Sequence, residues 1–77
     1  MNLTTCYRGG DDARRPGYWI GFAYDVDIIE SLKKIPHTYR RWDEDKKLWW
    51  VSEEYEFRLE KLFGNFHALV HQQGKLI

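Results

Sequence analysis

Tyr39-Arg40-Arg41-Trp42-Asp43-Glu44-Asp45-Lys46-Lys47-Leu48-Trp49-Trp50-Val51 is the stretch whose reading decides the fold. It holds three of the four tryptophans and four of the twelve lysine and arginine residues. Its two arms are rich in aromatic and β-branched residues, and the polar run Asp43 to Lys47 between them has the length and chemistry of a hairpin loop. With the loop centred on Asp45-Lys46, Trp42 faces Trp49, Arg41 faces Trp50 and Arg40 faces Val51. Strand alternation then places Trp42, Trp49 and Val51 on one face and Tyr39, Arg41, Leu48 and Trp50 on the other. The expectation is that Trp42 and Trp49 pack inward with Val51 while Trp50 stands outside beside Arg41, so that Trp49→Ala costs about 3–5 kcal/mol. A bulge in either arm would exchange the two faces.

Seventy-seven residues make one domain, which at this size buries roughly 60% of its unfolded surface and needs large side chains to do so. Four tryptophans, five tyrosines and four phenylalanines supply them, each able to bury on the order of 150–250 Å². The single cysteine, Cys6, excludes an internal disulfide scaffold and a multi-cysteine zinc site, and fits a reducing cytoplasm. No apolar run approaches the ~18 residues that span a bilayer, and the N-terminus lacks a secretion-signal pattern, so a soluble intracellular protein is expected.

The formal net charge is zero, which argues against coating nucleic acid by bulk attraction. The charges are nonetheless uneven. Lys33, Lys34, His37, Arg40, Arg41, Lys46 and Lys47 crowd into the window 33–47, whose only acids, Asp43, Glu44 and Asp45, lie in the expected turn. Ordinary solvated surface also accounts for such a distribution.

Residues 1–17 read as an N-terminal strand or tail, Leu3 to Tyr7, followed by a flexible loop, Arg8 to Gly17, rich in glycine and charge. Residues 18–77 read as a single α+β domain. Tyr18 to Tyr24 is expected as a strand with Tyr18, Ile20, Phe22 and Tyr24 on one side, and with Gly21 and Ala23 leaving the other side open to close approach by a helix. Asp25 has N-cap chemistry for a helix with a buried stripe of Val26, Ile29, Leu32 and neighbouring Ile28 and Ile35, which Pro36 ends near Ile35. After the hairpin, Ser52 caps a second helix with Tyr55, Leu59, Leu62 and Phe63 inward, closed by a left-handed Gly64. Asn65 to His71 reads as a last strand with Phe66, Ala68 and Val70 inward, and Gln72 to Ile77 as a tail. His67 and His71, about 13 Å apart on a strand, are too distant to share a metal ion. The order is (β)βαββαβ: a small, mainly antiparallel sheet of four or five strands with both helices on one face, and the opposite face partly uncovered.

Tyr24-Asp25, Ile29, Leu32-Lys33, Ile35-Pro36, Trp42-Asp43, Lys47, Trp49 and Val51 resemble, in order and spacing, the pattern of HARP domains, over roughly residues 22–63. Such modules accompany annealing helicases and related repair motors, and the resemblance implies binding of branched or forked DNA by structure rather than sequence. The chain has Glu44 and Ser52 where that family often has proline. It contains no GxxxxGK[ST] phosphate-binding loop, so remodelling would require a separate motor.

The expected nucleic-acid-binding residues are Tyr39, Arg41 and Trp50 on the outer sheet face, with Arg40, Lys46, Lys47, Lys33 and Lys34 holding phosphates. An exposed tryptophan stacks on unpaired bases for about 1–3 kcal/mol, and lysines and arginines hold the backbone. A protein interface or a second buried layer explains Trp50 as well, and dipole and surface roles suffice for Lys33 and Lys34. Catalysis is not expected: the acids suit caps and turns, and no nucleophile motif or triad is spaced to work. No cofactor or metal is implied. The main expectation is a non-catalytic DNA-binding accessory module of replication or repair in a bacterial or phage-infected cell, with a helicase as a further partner. The alternative is a phage or mobile-element inhibitor that occupies a partner protein's nucleic-acid site.

Overall fold

The structure is a computed structural model describing residues 2–75, with side chains from residue 71 onward excepted. Strands β1 (Thr5–Gly10) and β2 (Pro16–Gly21) form one antiparallel hairpin, β3 (Arg40–Asp43) and β4 (Leu48–Ser52) another. Antiparallel pairing of β2 with β4 joins them in the order β1-β2-β4-β3. Helix α1 (Val26–Lys33) crosses from β2 to the far edge strand β3. Helices α2 (Glu56–Leu62) and α3 (Phe66–Lys75) follow β4, so the class is α+β.

The central hairpin has the register its loop chemistry predicts: Arg40 opposite Val51, Arg41 opposite Trp50, Trp42 opposite Trp49. Asp43 sets the turn. Its side chain accepts from the Lys46 amide at 2.8 Å and its carbonyl accepts from the Lys47 amide at 2.8 Å, with Lys47 at φ 57°. Asp25 caps α1 by accepting from the amides of Asp27 and Ile28, satisfying two of the donors a helix start leaves orphaned. Ser52 accepts from the Glu54 amide and starts a 3-10 turn at Glu53–Tyr55 that leads into α2.

One sheet face carries Cys6, Tyr18, Ile20 and Val51 against Ile28, Leu32 and Ile35 from α1 and its C-terminal turn, Leu59 from α2, and Phe63 and Phe66 from its far end and α3. Burial lifts the Cys6 thiol to a pKa of about 11, so at neutral pH it is an unreactive apolar group.

Four expectations are corrected here. The last segment is helix α3, not a strand: Phe66 is buried and Leu69 and Val70 pack on the core while Ala68 is exposed, a three-and-four spacing rather than alternation. The expected tail at Gln72 is helical to Lys75, and residues 76–77 and the side chain of His71 lie outside the described residues. Gly64 has no positive φ; the last residue of α2 is followed instead by an extended Phe63, at φ −126° and ψ 116°. The loop read over Arg8 to Gly17 is strand at both ends, its turn confined to Asp11–Arg15.

In that turn the Asp11 side chain accepts from the amides of Ala13 and Arg15 and from the Arg15 guanidinium at 2.7–2.9 Å, the Ala13 contact being 3.1 Å. Burial opposes the Asp11 carboxylate, but these donors outweigh it and hold its pKa below the usual value. A depressed folded-state pKa contributes stability that is present above the unfolded value of about 4 and lost as pH falls through the folded one. Asp11→Asn is therefore expected to melt below the parent at pH 7, with the gap closing in acid; a gap that persists unchanged at pH 2 would contradict this.

Candidate functional site

The expected outer-face site does not assemble. Trp50 is 0% exposed. It lies beside its cross-strand neighbour Trp19 on the helix-free face, and each indole N–H donates to a β1 carbonyl at 3.1 Å, Trp50 to Gly9 and Trp19 to Gly10. Glycines give the rings their beds: a Cβ on Gly17 would lie 2.6 Å from Trp50, and one on Gly9 would lie 3.0 Å from Trp19. Cations cover the rings from outside, Lys46 Nζ at 3.9 Å from the Trp19 centroid and the Arg15 guanidinium at 5.2 Å from Trp50. The face expected to be partly open is thus a second buried layer, and no base can reach Trp50. Leu48, not a helix, fills the space left by Gly21, 2.8 Å from where its Cβ would be.

The other expected residues scatter. Arg41 pairs with Asp12 at 2.5 Å. Arg40 donates from Nε to the Ile35 carbonyl at 2.8 Å and from Nη2 to the Lys33 carbonyl at 3.4 Å, tying down the end of α1. Removing Arg40 therefore removes a helix stop as well as a charge. Tyr39 is half-buried and packs on Tyr55. Lys34 is exposed at the C-cap of α1. Only Lys33 and Lys47 line adjoining hollows of one region.

That place is a cleft on the helix side of the sheet, where α1 stops short of the edge strand. Its walls are Tyr24, Ile29, Lys33, Trp42 and Trp49, around about 510 Å³. A deeper recess of about 160 Å³ adjoins it, sharing Tyr24, Ile29, Trp42 and Trp49 and adding Phe22 and Lys47. Tyr24 is 82% exposed and Trp42 43%, two large rings left in water. Trp42 contacts Trp49 with centroids 5.5 Å apart and planes at 56°. Its indole N–H donates to Glu44 at 2.8 Å, which fixes the ring by its edge, and Lys47 pairs with the same carboxylate at 3.2 Å. The indole donor first, and Lys47 second, hold the Glu44 pKa below the usual value.

The expectation that Trp42 and Trp49 form the core is thereby corrected: Trp49 is half-buried at its margin and Trp42 is a wall of the cleft. Sequence reasoning missed Tyr24 and Trp42 as surface residues.

His67 lies on α3 with Nε2 at 2.9 Å from Glu60. Among the described residues no group of three histidines, cysteines or acids is placed to hold a metal ion, and no helix is long and apolar enough to cross a membrane. No family model matches the chain, and neither a curated protein nor a solved structure is significantly similar to it.

Proposed function

We propose that this is a non-catalytic binding module for single-stranded nucleic acid, including the unpaired arms of forked DNA, acting in a cytoplasm through the cleft between α1 and the β3–β4 hairpin. The observation that carries this reading is the exposed Trp42 ring, held by its edge to Glu44 and facing a cleft that Tyr24, Lys33 and Lys47 also line. An indole fixed at its edge keeps a face available for a base, and base–aromatic stacking tolerates any sequence. Lys33, on the wall of the same cleft, can hold a phosphate of the stacked nucleotide, and Lys47 can exchange Glu44 for phosphate. A duplex hides its base faces, so unpaired strands are preferred.

The test is quenching of tryptophan fluorescence by oligo(dT), by the matching duplex and by a fork, each at two salt concentrations. Trp42→Ala, at the surface, is expected to keep the fold and to weaken oligo(dT) binding by about 1–3 kcal/mol, a factor of ~5 to ~150. Lys33→Ala should lower the salt dependence by about one counterion's worth. Undiminished affinity in Trp42→Ala, or no binding of any DNA form at low salt, would remove the proposal and leave a protein partner as the occupant.

A further inference from the structure

Away from that cleft, where the 3-10 turn at His37–Tyr39 meets the start of α2, three rings stand in a row. Tyr39 and Tyr55 have centroids 5.4 Å apart and planes tilted by 46°; Tyr55 and Phe57 are 5.9 Å apart and tilted by 31°. Together with Glu54 these rings line one hollow of about 350 Å³. Tyr39 and Tyr55 also pack on the core, which explains their presence. Phe57 does not, and at 52% exposure it leaves an apolar ring in water at the rim of the hollow.

The acids of this segment divide in the same way. Glu53 pairs with Arg8, Glu56 accepts from the buried Tyr18 hydroxyl at 3.1 Å, and Glu60 meets His67. Among the described residues Glu54 makes no such side-chain contact; its backbone N–H donates to the Ser52 hydroxyl. An unengaged carboxylate thus stands beside three aromatic rings whose π-faces are negative. That combination attracts a cation, and one with methyl groups in place of N–H bonds loses little hydration on entering. A primary ammonium is compact and strongly hydrated, and one carboxylate cannot satisfy its three donors.

We infer that this hollow binds a methylated ammonium group, as carried by a methylated lysine side chain or by a choline-like small molecule. Tyr39, Tyr55 and Phe57 supply the walls and Glu54 the counter-charge. The site is separate from the basic cleft and stands or falls independently of nucleic-acid binding.

Amide NMR titration of the full chain tests it with four probes: choline, its neutral isostere 3,3-dimethylbutanol, a trimethyl-lysine peptide, and the same peptide with unmodified lysine. Choline or the trimethylated peptide should shift the signals of Tyr39, Glu54, Tyr55 and Phe57 saturably. Affinity should exceed that of the neutral or unmodified counterpart by about tenfold. Whichever of the two binds tighter identifies the carrier. Phe57→Ala and Glu54→Gln, both at exposed positions, should each weaken binding by about three- to tenfold with the melting curve unchanged. Equal affinity for the neutral isostere, indifference to both substitutions, or no saturable shift with any probe would overturn the assignment.

Discussion

Trp50→Ala unfolds the domain or leaves it barely folded. The indole is fully buried on the helix-free face of the sheet, lying on Gly17 of β2, with its N–H on the Gly9 carbonyl and the Arg15 guanidinium over its face. Truncating a buried tryptophan costs about 3–5 kcal/mol, and here it also strands the Gly9 carbonyl. A domain this size has roughly 4–12 kcal/mol in total. At about 4–8 °C per kcal/mol, the melting temperature should fall by at least ~12 °C. Trp49→Ala, at the core margin, should cost less, about 2 kcal/mol, and Trp42→Ala on the edge strand about 1 kcal/mol or less. Thermal melts of the three variants check the order. A Trp50→Ala melt within a few degrees of the parent, or Trp42→Ala as the most damaging of the three, would mean that the buried layer has been misplaced.

That ranking reverses the expectation drawn from residue order, and the reason is physical. The hairpin register was legible because Asp43 and Asp45 mark a turn and the period of two sorts side chains onto faces without further information. Which face is buried was not legible, because each carries an indole. At Trp50 both faces of β4 are covered, by the helices on the Val51 side and, on the other, by the Arg15 guanidinium over an indole that lies on Gly17. The overlooked signal was glycine. Gly9 and Gly17 read as loop residues but fall within β1 and β2, where they act as flat beds for Trp19 and Trp50.

The segment after Gly64 failed for a different reason. Phe66 and Val70 satisfy both a period of two and a helical i, i+4 spacing, so the run 66–70 was ambiguous in itself. What accompanies the helix is long-range: the Asn65 side chain accepts from the Leu3 amide at 2.7 Å and donates to the Leu3 carbonyl at 2.9 Å, pinning the N-terminal segment against the start of α3. Asp25 and Pro36, by contrast, act within a few residues of themselves, and the helix they delimit was placed correctly although Val26 of its expected stripe is exposed; Ser52 opens a 3-10 turn ahead of α2 rather than α2 itself. The candidate cleft was half legible. Lys33 and Lys47 were named from charge alone, whereas Tyr24 and Trp42 depend on where α1 ends over the sheet, which no local pattern encodes.

Gly17→Ala should be nearly as damaging as the loss of Trp50, although it adds only a methyl group. The new Cβ would lie 2.5 Å from the Val51 carbonyl oxygen and 2.6–2.7 Å from two atoms of the Trp50 ring. Contacts that short force something to move. The carbonyl belongs to the central pair β2–β4 and cannot shift without breaking the ladder; the ring is enclosed and cannot swing away. Overpacking usually costs about 1–3 kcal/mol and more where backbone must give, so a loss of about 3 kcal/mol is expected. The alanine recovers only about 0.4–1 kcal/mol of that through a less flexible unfolded chain. Gly64→Ala isolates this second effect. Gly64 has no positive φ, and the nearest atom to its added Cβ is 3.6 Å away, so that substitution should stabilise by about 0.4–1 kcal/mol. Opposite signs in the two melts, with the Trp50 indole N–H signal displaced only in Gly17→Ala, would locate the strain at the ring. A neutral Gly17→Ala would show that the indole does not lie on this glycine.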